Sequence, residues 1–289
     1  MAPRATPVQD IQSPIKGSDS PNSKKENQLV GVAGYKPPSA KAAEPSTVAA
    51  TDNPDASVHV DAFDGIQPLD MTQYPQCCVG KVICGGGIPG DMVITDKVGT
   101  GVLVHPNIVI SASHILPWNH DPPLVRFIPG YSAGSEPFGH FDTFKFANLP
   151  AQSQLGQSPT GIDIGLVFLD QSPGDNLGWF GWQSNGSEDW YKGNWTSVGY
   201  PTENFGGERA IAWGVNITDV NEDNEASGTD FELISPGYAS APWVGAPLWH
   251  LGSDLLPYLG GVVSGNRDGR TVHAGGPLMA SWLRSHSMT

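Results

Sequence analysis

From residue 74 onward the chain is a succession of short apolar runs, and this pattern constrains the fold most strongly. The runs are of strand length, are rich in Val and Ile, and are bounded by Gly, Pro, Asn or Asp. They read CCVGKVIC, DMVITD, TGVLVHPNIVISAS, DIGLVFLD, WTSVGY, RAIAWGVNIT and YLGGVVSG. Such runs predict an all-β barrel or sandwich. Only the C-terminal PLMASWLRSHS has a helical pattern, with Leu278, Trp282 and Leu283 near one face.

The first 70 residues have a different composition, in which Pro, Ser, Ala and Asp dominate. Their only aromatic residues are Tyr35 and Phe63. A segment that buries so little apolar surface cannot offset the entropy lost on ordering. The sequence therefore predicts a disordered tail or pro-segment over residues 1–70, followed by a folded domain over residues 71–289.

Composition also excludes several kinds of partner. The chain carries 15 Lys and Arg against 29 Asp and Glu, a net charge of −14, which argues against nucleic acid. No stretch approaches the roughly 18 apolar residues that a membrane helix needs. Neither HExxH nor paired CxxC motifs occur, so no metal and no cofactor is expected. The three cysteines, Cys77, Cys78 and Cys84, allow one disulfide at most, or are small buried residues.

Two polar residues stand next to apolar runs. His114 follows the strand-like TGVLVHPNIVISAS, and Asp163 lies 49 residues later at the start of GIDIGLVFLD. An isolated carboxylate in such a place is costly unless it is paired or hydrogen-bonded. A His and an Asp that orient one another form two thirds of a Ser-His-Asp triad.

Five motifs in order resemble trypsin-like serine endopeptidases, in particular the glutamyl-endopeptidase-like branch with its secreted fungal members. They are the segment that ends at His114, the Asp163-Ile-Gly-Leu-Val run, the Val198-Gly-Tyr-Pro segment, the Gly-rich region after residue 236, and YLGGVVSG. The resemblance covers residues 74 to 285. It implies two packed six-stranded antiparallel β-barrels over about 74–175 and 190–270, a C-terminal helix over about 276–286, and an active site between the barrels.

The family's third motif, Gly-x-Ser-Gly-x-Pro, can be placed in two ways on PGYASAPWVGAPLWH. In one alignment the nucleophile is Ser240, seven residues after Leu233. In the other, Val244 takes the serine position, and the following Gly245-Ala-Pro leads directly into the next strand. The sequence leaves both alignments open.

The two alignments have different chemical consequences. With Val244 in the serine position there is no nucleophile, and Pro242, which has no N–H, replaces a donor of the oxyanion hole. Loss of one such donor costs about 10²–10³ in rate, and loss of a triad serine about 10⁶. With Ser240, the N–H groups of Tyr238 and Ser240 would form the oxyanion hole, and a longer surface loop would follow.

Further site residues are implied by the same resemblance. Val263, Ser264 and Gly265 match the strand that flanks bound substrate, and His273 either reaches the specificity pocket or is an ordinary loop residue. Neither Ile234 nor Ser235, near the expected pocket floor, is acidic, so a preference for Lys or Arg is not predicted. Valines stand where the glutamyl branch carries its His, which argues against a Glu preference.

The resulting hypothesis is a secreted, monomeric serine endopeptidase that cleaves peptide or protein substrates through an acyl-enzyme. The alternative is an inactive homologue that binds a peptide or protein partner. The acceptor tripeptides at Asn185, Asn194 and Asn216 favour secretion, although the N-terminus lacks the apolar region of a signal peptide. Cleavage before Ile66 is the expected maturation step.

Overall fold

The computed structural model describes residues 29–39, 69–88, 94–149, 159–201, 207–225, 228–237 and 243–287. The strands in these ranges are β1 (Val30–Val32), β2 (Val79–Gly86), β3 (Ile94–His105), β4 (Ile108–Ser111), β5 (Pro123–Pro129), β6 (Phe141–Thr143), β7 (Phe146–Asn148), β8 (Gly165–Phe168), β9 (Gly181–Ser184), β10 (Gly193–Gly199), β11 (Ile211–Ile217), β12 (Asp219–Glu225), β13 (Gly228–Pro236), β14 (Pro247–Leu251), β15 (Pro257–Arg267) and β16 (Arg270–Gly275). The helices are the single turn α1 (Gly174–Leu177) and the C-terminal α2 (Pro277–Ser287). None of the described helices is long and apolar enough to cross a membrane.

The first barrel is an antiparallel sheet in the order β6-β5-β2-β3-β4-β8-β7. Its two end strands, β6 and β7, are consecutive in the chain and only two residues apart, so the sheet returns to the segment where it began. The junction is fastened to β8, where the Thr143 hydroxyl donates to the Phe168 carbonyl at 2.8 Å and the Phe168 amide donates to the Lys145 carbonyl. Counted as one bent strand, β6 and β7 make this a six-stranded barrel.

The second barrel closes in the same way. Its strand order is β11-β10-β14-β15-β16-β13-β12, and Thr218 alone separates β11 from β12. The Thr218 amide donates to the carbonyl of Ile234 in β13, which fastens this bend. The predicted architecture of two six-stranded antiparallel barrels followed by a C-terminal helix is therefore confirmed.

The Val- and Ile-rich runs form strands because the barrel interiors bury them. All four residues of β4 are buried, as are most residues of β8 and β15. Large aromatic side chains such as Phe127 and Tyr200 fill the interior. The three cysteines are free and buried, and the Cys78 thiol contacts the Leu177 carbonyl at 3.4 Å. The cysteines therefore act as small core residues, which is one of the two alternatives that the sequence left open.

The N-terminal part of the chain departs from expectation at residues 29–39. The whole of residues 1–70 was predicted to be disordered, but Val30–Val32 forms strand β1 and pairs antiparallel with β9. Composition averaged over 70 residues hid this short ordered segment. Residues 1–28 and 40–68, including the expected cleavage position before Ile66, lie outside the described residues.

The N-terminal end of helix α2 is held by a buried carboxylate. Asp230 of β13 is completely buried, and its Oδ2 accepts a hydrogen bond from the Met279 amide at 3.0 Å. Its Oδ1 lies against Gly276, and among the described residues that atom has no hydrogen-bond partner. Burial raises the pKa of Asp230 well above its ordinary value, because the charged carboxylate is removed from water.

Replacement of Asp230 by Asn should change how stability depends on pH. The unfolded Asp ionises near pH 3.9, whereas the folded protein retains the proton to higher pH. The contribution of Asp230 to the free energy of unfolding should therefore fall as the pH rises above about 4, and this decrease should be absent from Asp230→Asn. Urea unfolding at several pH values measures the difference. An equal slope in both proteins would contradict the assignment.

Candidate active site

Strand pairing brings His114 and Asp163 together. Strand β4 pairs with β8 so that Ser111 lies opposite Gly165. His114 follows β4 in a 3-10 turn, Ser113–Ile115, and Asp163 lies two residues before β8. Because the two strands are antiparallel, the segment leaving β4 and the segment entering β8 meet at the same edge of the barrel.

The His114 and Asp163 side chains form a short, directed hydrogen bond. His114 Nδ1 lies 2.6 Å from Asp163 Oδ2, and the His114 backbone amide donates to Asp163 Oδ1 at 2.9 Å. The Asp163 side chain is fully buried, whereas 19% of the His114 side chain is exposed. The carboxylate thus fixes the tautomer and orientation of the imidazole and leaves Nε2 to accept a proton, as a general base requires.

A third side chain completes this network from the other barrel. The hydroxyl of Ser264, in β15, donates to Asp163 Oδ2 at 2.8 Å and accepts from the Thr160 amide at 3.1 Å. The sequence placed Ser264 only on the strand that flanks substrate. Its bond to Asp163 was missed because the two residues are 101 positions apart, and nothing in the sequence pairs them.

Val244 lies in the contact between the barrels. Its carbonyl accepts from the Thr100 amide of the first barrel at 2.8 Å, and the amide of the next residue, Gly245, donates to the Val263 carbonyl of the second barrel at 2.8 Å. Gly245 has φ +83°, and a Cβ there would lie 2.1 Å from the Thr100 carbonyl oxygen. Only glycine fits there, because the backbone has a positive φ and a side chain would clash with backbone atoms.

This arrangement also places Gly245, the residue after Val244, beside the turn that carries His114. A Cβ on Gly245 would lie 3.2 Å from the amide nitrogen of Ala112, two residues before His114. The Val244 residue is 7% exposed, and its neighbour Trp243 stacks on Trp213 with ring centroids 4.0 Å apart. The segment from Trp243 onward is therefore fixed beside the turn that carries the histidine.

The competing serine lies outside the described residues, together with Tyr238 and Pro242. The two flanks of that segment are defined. The Gly237 carbonyl accepts from the Thr271 hydroxyl at 3.0 Å, and Trp243 packs as described above. The assignment of Ser240 as nucleophile and of Tyr238 as an oxyanion donor stays a prediction.

The remaining predicted residues lie on β15 and β16. Val263 pairs with His273, and a bulge between Val263 and Gly265 places Ser264 toward Asp163. His273 is 1% exposed and lies within β16, so its interpretation as a loop residue is wrong. Its Nε2 lies 3.1 Å from the Ser235 hydroxyl, and burial lowers the pKa of His273 to about 3.

A small cavity adjoins His114. Lys97 Nζ donates to the His114 carbonyl at 2.7 Å, and the Trp118 indole donates to the Ser113 carbonyl. These bonds hold the turn around His114 rigid. The cavity is lined by Asp96, Lys97, His114, Trp118, Asn119 and His120, among others.

Comparisons with known proteins agree on the fold. No family model matches the chain. Three solved structures align with it: the protease Anisep from Arthrobacter nicotinovorans (18% identity, TM-score 0.54, 77% of this chain and 97% of that one), the thermostable serine protease AL20 from an extremophilic microorganism (16%, 0.55, 74% and 98%), and a Glu endopeptidase bound to MPD (14%, 0.56, 77% and 96%). The chain therefore has the two-barrel, chymotrypsin-like fold of serine proteases.

One curated relative also aligns, over a shorter stretch. It is the extracellular metalloprotease of Bacillus subtilis (strain 168), 30% identical over 91 residues. The match covers 30% of this chain and 28% of that protein. In the part of this chain that the structure describes, no group of three or more His, Cys, Asp or Glu side chains could hold a metal ion.

Removal of the Ser264 hydroxyl should loosen the histidine. Ser264→Ala takes one of three donors from a buried carboxylate, which should lower the free energy of unfolding by about 1–3 kcal/mol. Amide hydrogen exchange at His114 should quicken, because that amide donates to the same carboxylate. Ser285→Ala, which removes a bond to a helix carbonyl, is the control. Unchanged exchange at His114 would contradict a role for Ser264 in positioning.

Proposed function

We propose that the chain is a serine endopeptidase that binds an extended peptide between its two barrels. His114 acts as general base, Asp163 orients it, and Ser264 supports Asp163 from the second barrel. The observation that carries the proposal is the 2.6 Å bond between His114 Nδ1 and Asp163 Oδ2 on a partly exposed imidazole. Hydrolysis would pass through an acyl-enzyme, with the histidine returning the proton to the leaving amine.

The proposed nucleophile is Ser240, because Val244 has no nucleophilic atom. Three Cα steps separate Trp243 from Ser240, and each spans 3.8 Å at most, so Ser240 can lie up to about 11 Å from Trp243. Gly245, two residues after Trp243, lies beside the turn that carries His114, since a Cβ on it would lie 3.2 Å from the Ala112 amide nitrogen. The closeness of this segment to that turn supports Ser240 as the nucleophile. Secretion, a monomeric state and a preferred peptide sequence stay predictions.

A fluorophosphonate label tests the nucleophile directly. Such a reagent bonds to a serine that a neighbouring base activates, so the wild type should be labelled. Ser240→Ala and His114→Ala should each abolish labelling, while Ser285→Ala should keep it. Mass mapping of the labelled peptide identifies the residue. Labelling that persists in Ser240→Ala would refute the assignment of Ser240.

A second candidate function is peptide or protein binding without hydrolysis. The observation that favours it is a pair of backbone hydrogen bonds that hold Val244 in place. The Thr100 amide donates to the Val244 carbonyl, and the amide of the next residue, Gly245, donates to the Val263 carbonyl. In the second of the two alignments, this held position is the one that the motif assigns to the serine. Pro242 would then stand where an oxyanion donor belongs, and it has no N–H. Such a protein would keep His114 and Asp163 as a hydrogen-bonded pair.

The second candidate predicts that activity can be restored. In a wild type that is not labelled, Val244→Ser combined with Pro242→Gly should introduce labelling, because it supplies both a hydroxyl and an N–H. Val244→Ser alone should react about 10²–10³-fold more slowly for want of the donor. His114→Ala in the double variant is the control. A folded double variant that stays unlabelled would argue against Val244 as the serine position.

A further inference from the structure

Strand β9 pairs with β15 on one edge, and within the described part of the chain its other edge pairs only with residues 29–39. On the first edge it pairs in parallel with β15, through Tyr258 opposite Gly181. On the second, Val30–Val32 pairs with it antiparallel, with Val30 opposite Ser184 and Val32 opposite Trp182. Without residues 29–39, β9 would be an edge strand with free backbone donors and acceptors.

The approach of this segment to β9 is close enough to require glycine at two positions. A Cβ on Gly31 would lie 2.7 Å from the Trp182 carbonyl oxygen, and one on Gly34 would lie 2.5 Å from the Gly181 amide nitrogen. Both obstacles are backbone atoms, which cannot swing aside. The β9 edge therefore selects a strand with small residues at these positions.

Two anchors follow the glycines. Tyr35 exchanges two backbone hydrogen bonds of 3.0 Å with Trp179, and the two rings lie 4.6 Å apart. Pro37 is buried and packs against Gly178. A Cβ on Gly178 would lie 2.9 Å from Pro37 Cδ and close to the ring of Tyr74. Residues 31–37, GVAGYKP, therefore bind β9 through strand pairing, through the ring of Tyr35 and through the buried Pro37.

We propose that the edge of β9 is a binding site for an extended peptide, and that residues 29–39 are its ligand. Every contact described above is noncovalent and is complete within 29–39. The segment therefore stays bound as a separate chain when the polypeptide is cut between residues 40 and 68. This proposal does not depend on peptidase activity or on the identity of the nucleophile.

The test uses the full chain with a recognition site for a foreign protease replacing residues 50–56. After cleavage, gel filtration at about 1 µM protein shows whether the N-terminal fragment elutes together with the barrels. Co-elution requires a Kd near or below that concentration. Gly34→Ala introduces the clash and should raise the Kd about 10- to 100-fold, since overpacking costs about 1–3 kcal/mol. Ala33→Ser, at an exposed neighbouring position, is the matched control.

Co-elution of the fragment in the wild type and in Ala33→Ser, with loss in Gly34→Ala, supports the proposal. Amide hydrogen exchange gives a second readout in the uncut chain, because the Trp179 amide donates to the Tyr35 carbonyl. That amide should exchange faster than in the wild type in Gly34→Ala but not in Ala33→Ser. Loss of the fragment from the cut wild type would overturn the proposal. Equal retention in Gly34→Ala would do so too. A different result would be an uncut wild type that elutes as a dimer and an uncut Gly34→Ala variant that elutes as a monomer. That result would assign the β9 edge to a second copy of the chain and overturn the proposal.

Discussion

The carboxylate of Asp163 is the interaction on which the arrangement of the site depends. It is fully buried, and burial of such a group is costly unless donors satisfy it. The His114 amide and ring come from the turn after β4, and the Ser264 hydroxyl comes from β15. The donors thus belong to different barrels. Satisfying one buried group therefore fixes the histidine and joins the two halves of the fold.

A second constraint of the same kind acts on the segment after Pro242. Gly245 has contacts in both barrels, since its amide bonds to Val263 and its Cα lies against Thr100 and Ser111. This close packing leaves no room for a side chain, so the chain cannot slide by even one residue there. Gly245 is consequently a fixed point of the region.

Much of the fold could be predicted because the barrels bury Val- and Ile-rich strands, and such strands leave a clear pattern in the sequence. His114 and Asp163 were found for a related reason, since polar residues next to apolar runs need a partner. Ser264 was assigned only to the substrate strand, because its bond to Asp163 depends on a bulge that pattern alone does not reveal. Strand β1 was missed because it depends on glycines that allow the segment to approach β9 closely. Glycine is also common in disordered segments, so its presence did not indicate a strand. The alternative that made His273 an ordinary loop residue was wrong, because His273 lies within β16.

Another polar link between the barrels is partly exposed to solvent, unlike the buried link at Asp163. Lys81 Nζ lies 3.0 Å from Glu208 Oε1 and 4.4 Å from the ring centroid of Tyr131, whose hydroxyl donates to the other carboxylate oxygen. The Glu208 side chain is 48% exposed, so solvent screens this pair and its contribution to stability is small. The buried Tyr200 hydroxyl, which donates to the Tyr131 carbonyl at 3.0 Å, is the stronger part of the link. The links between the barrels therefore include buried neutral bonds as well as the Ser264 bond to Asp163, so removal of the Ser264 hydroxyl should weaken the contact between the barrels more directly than a substitution of His114.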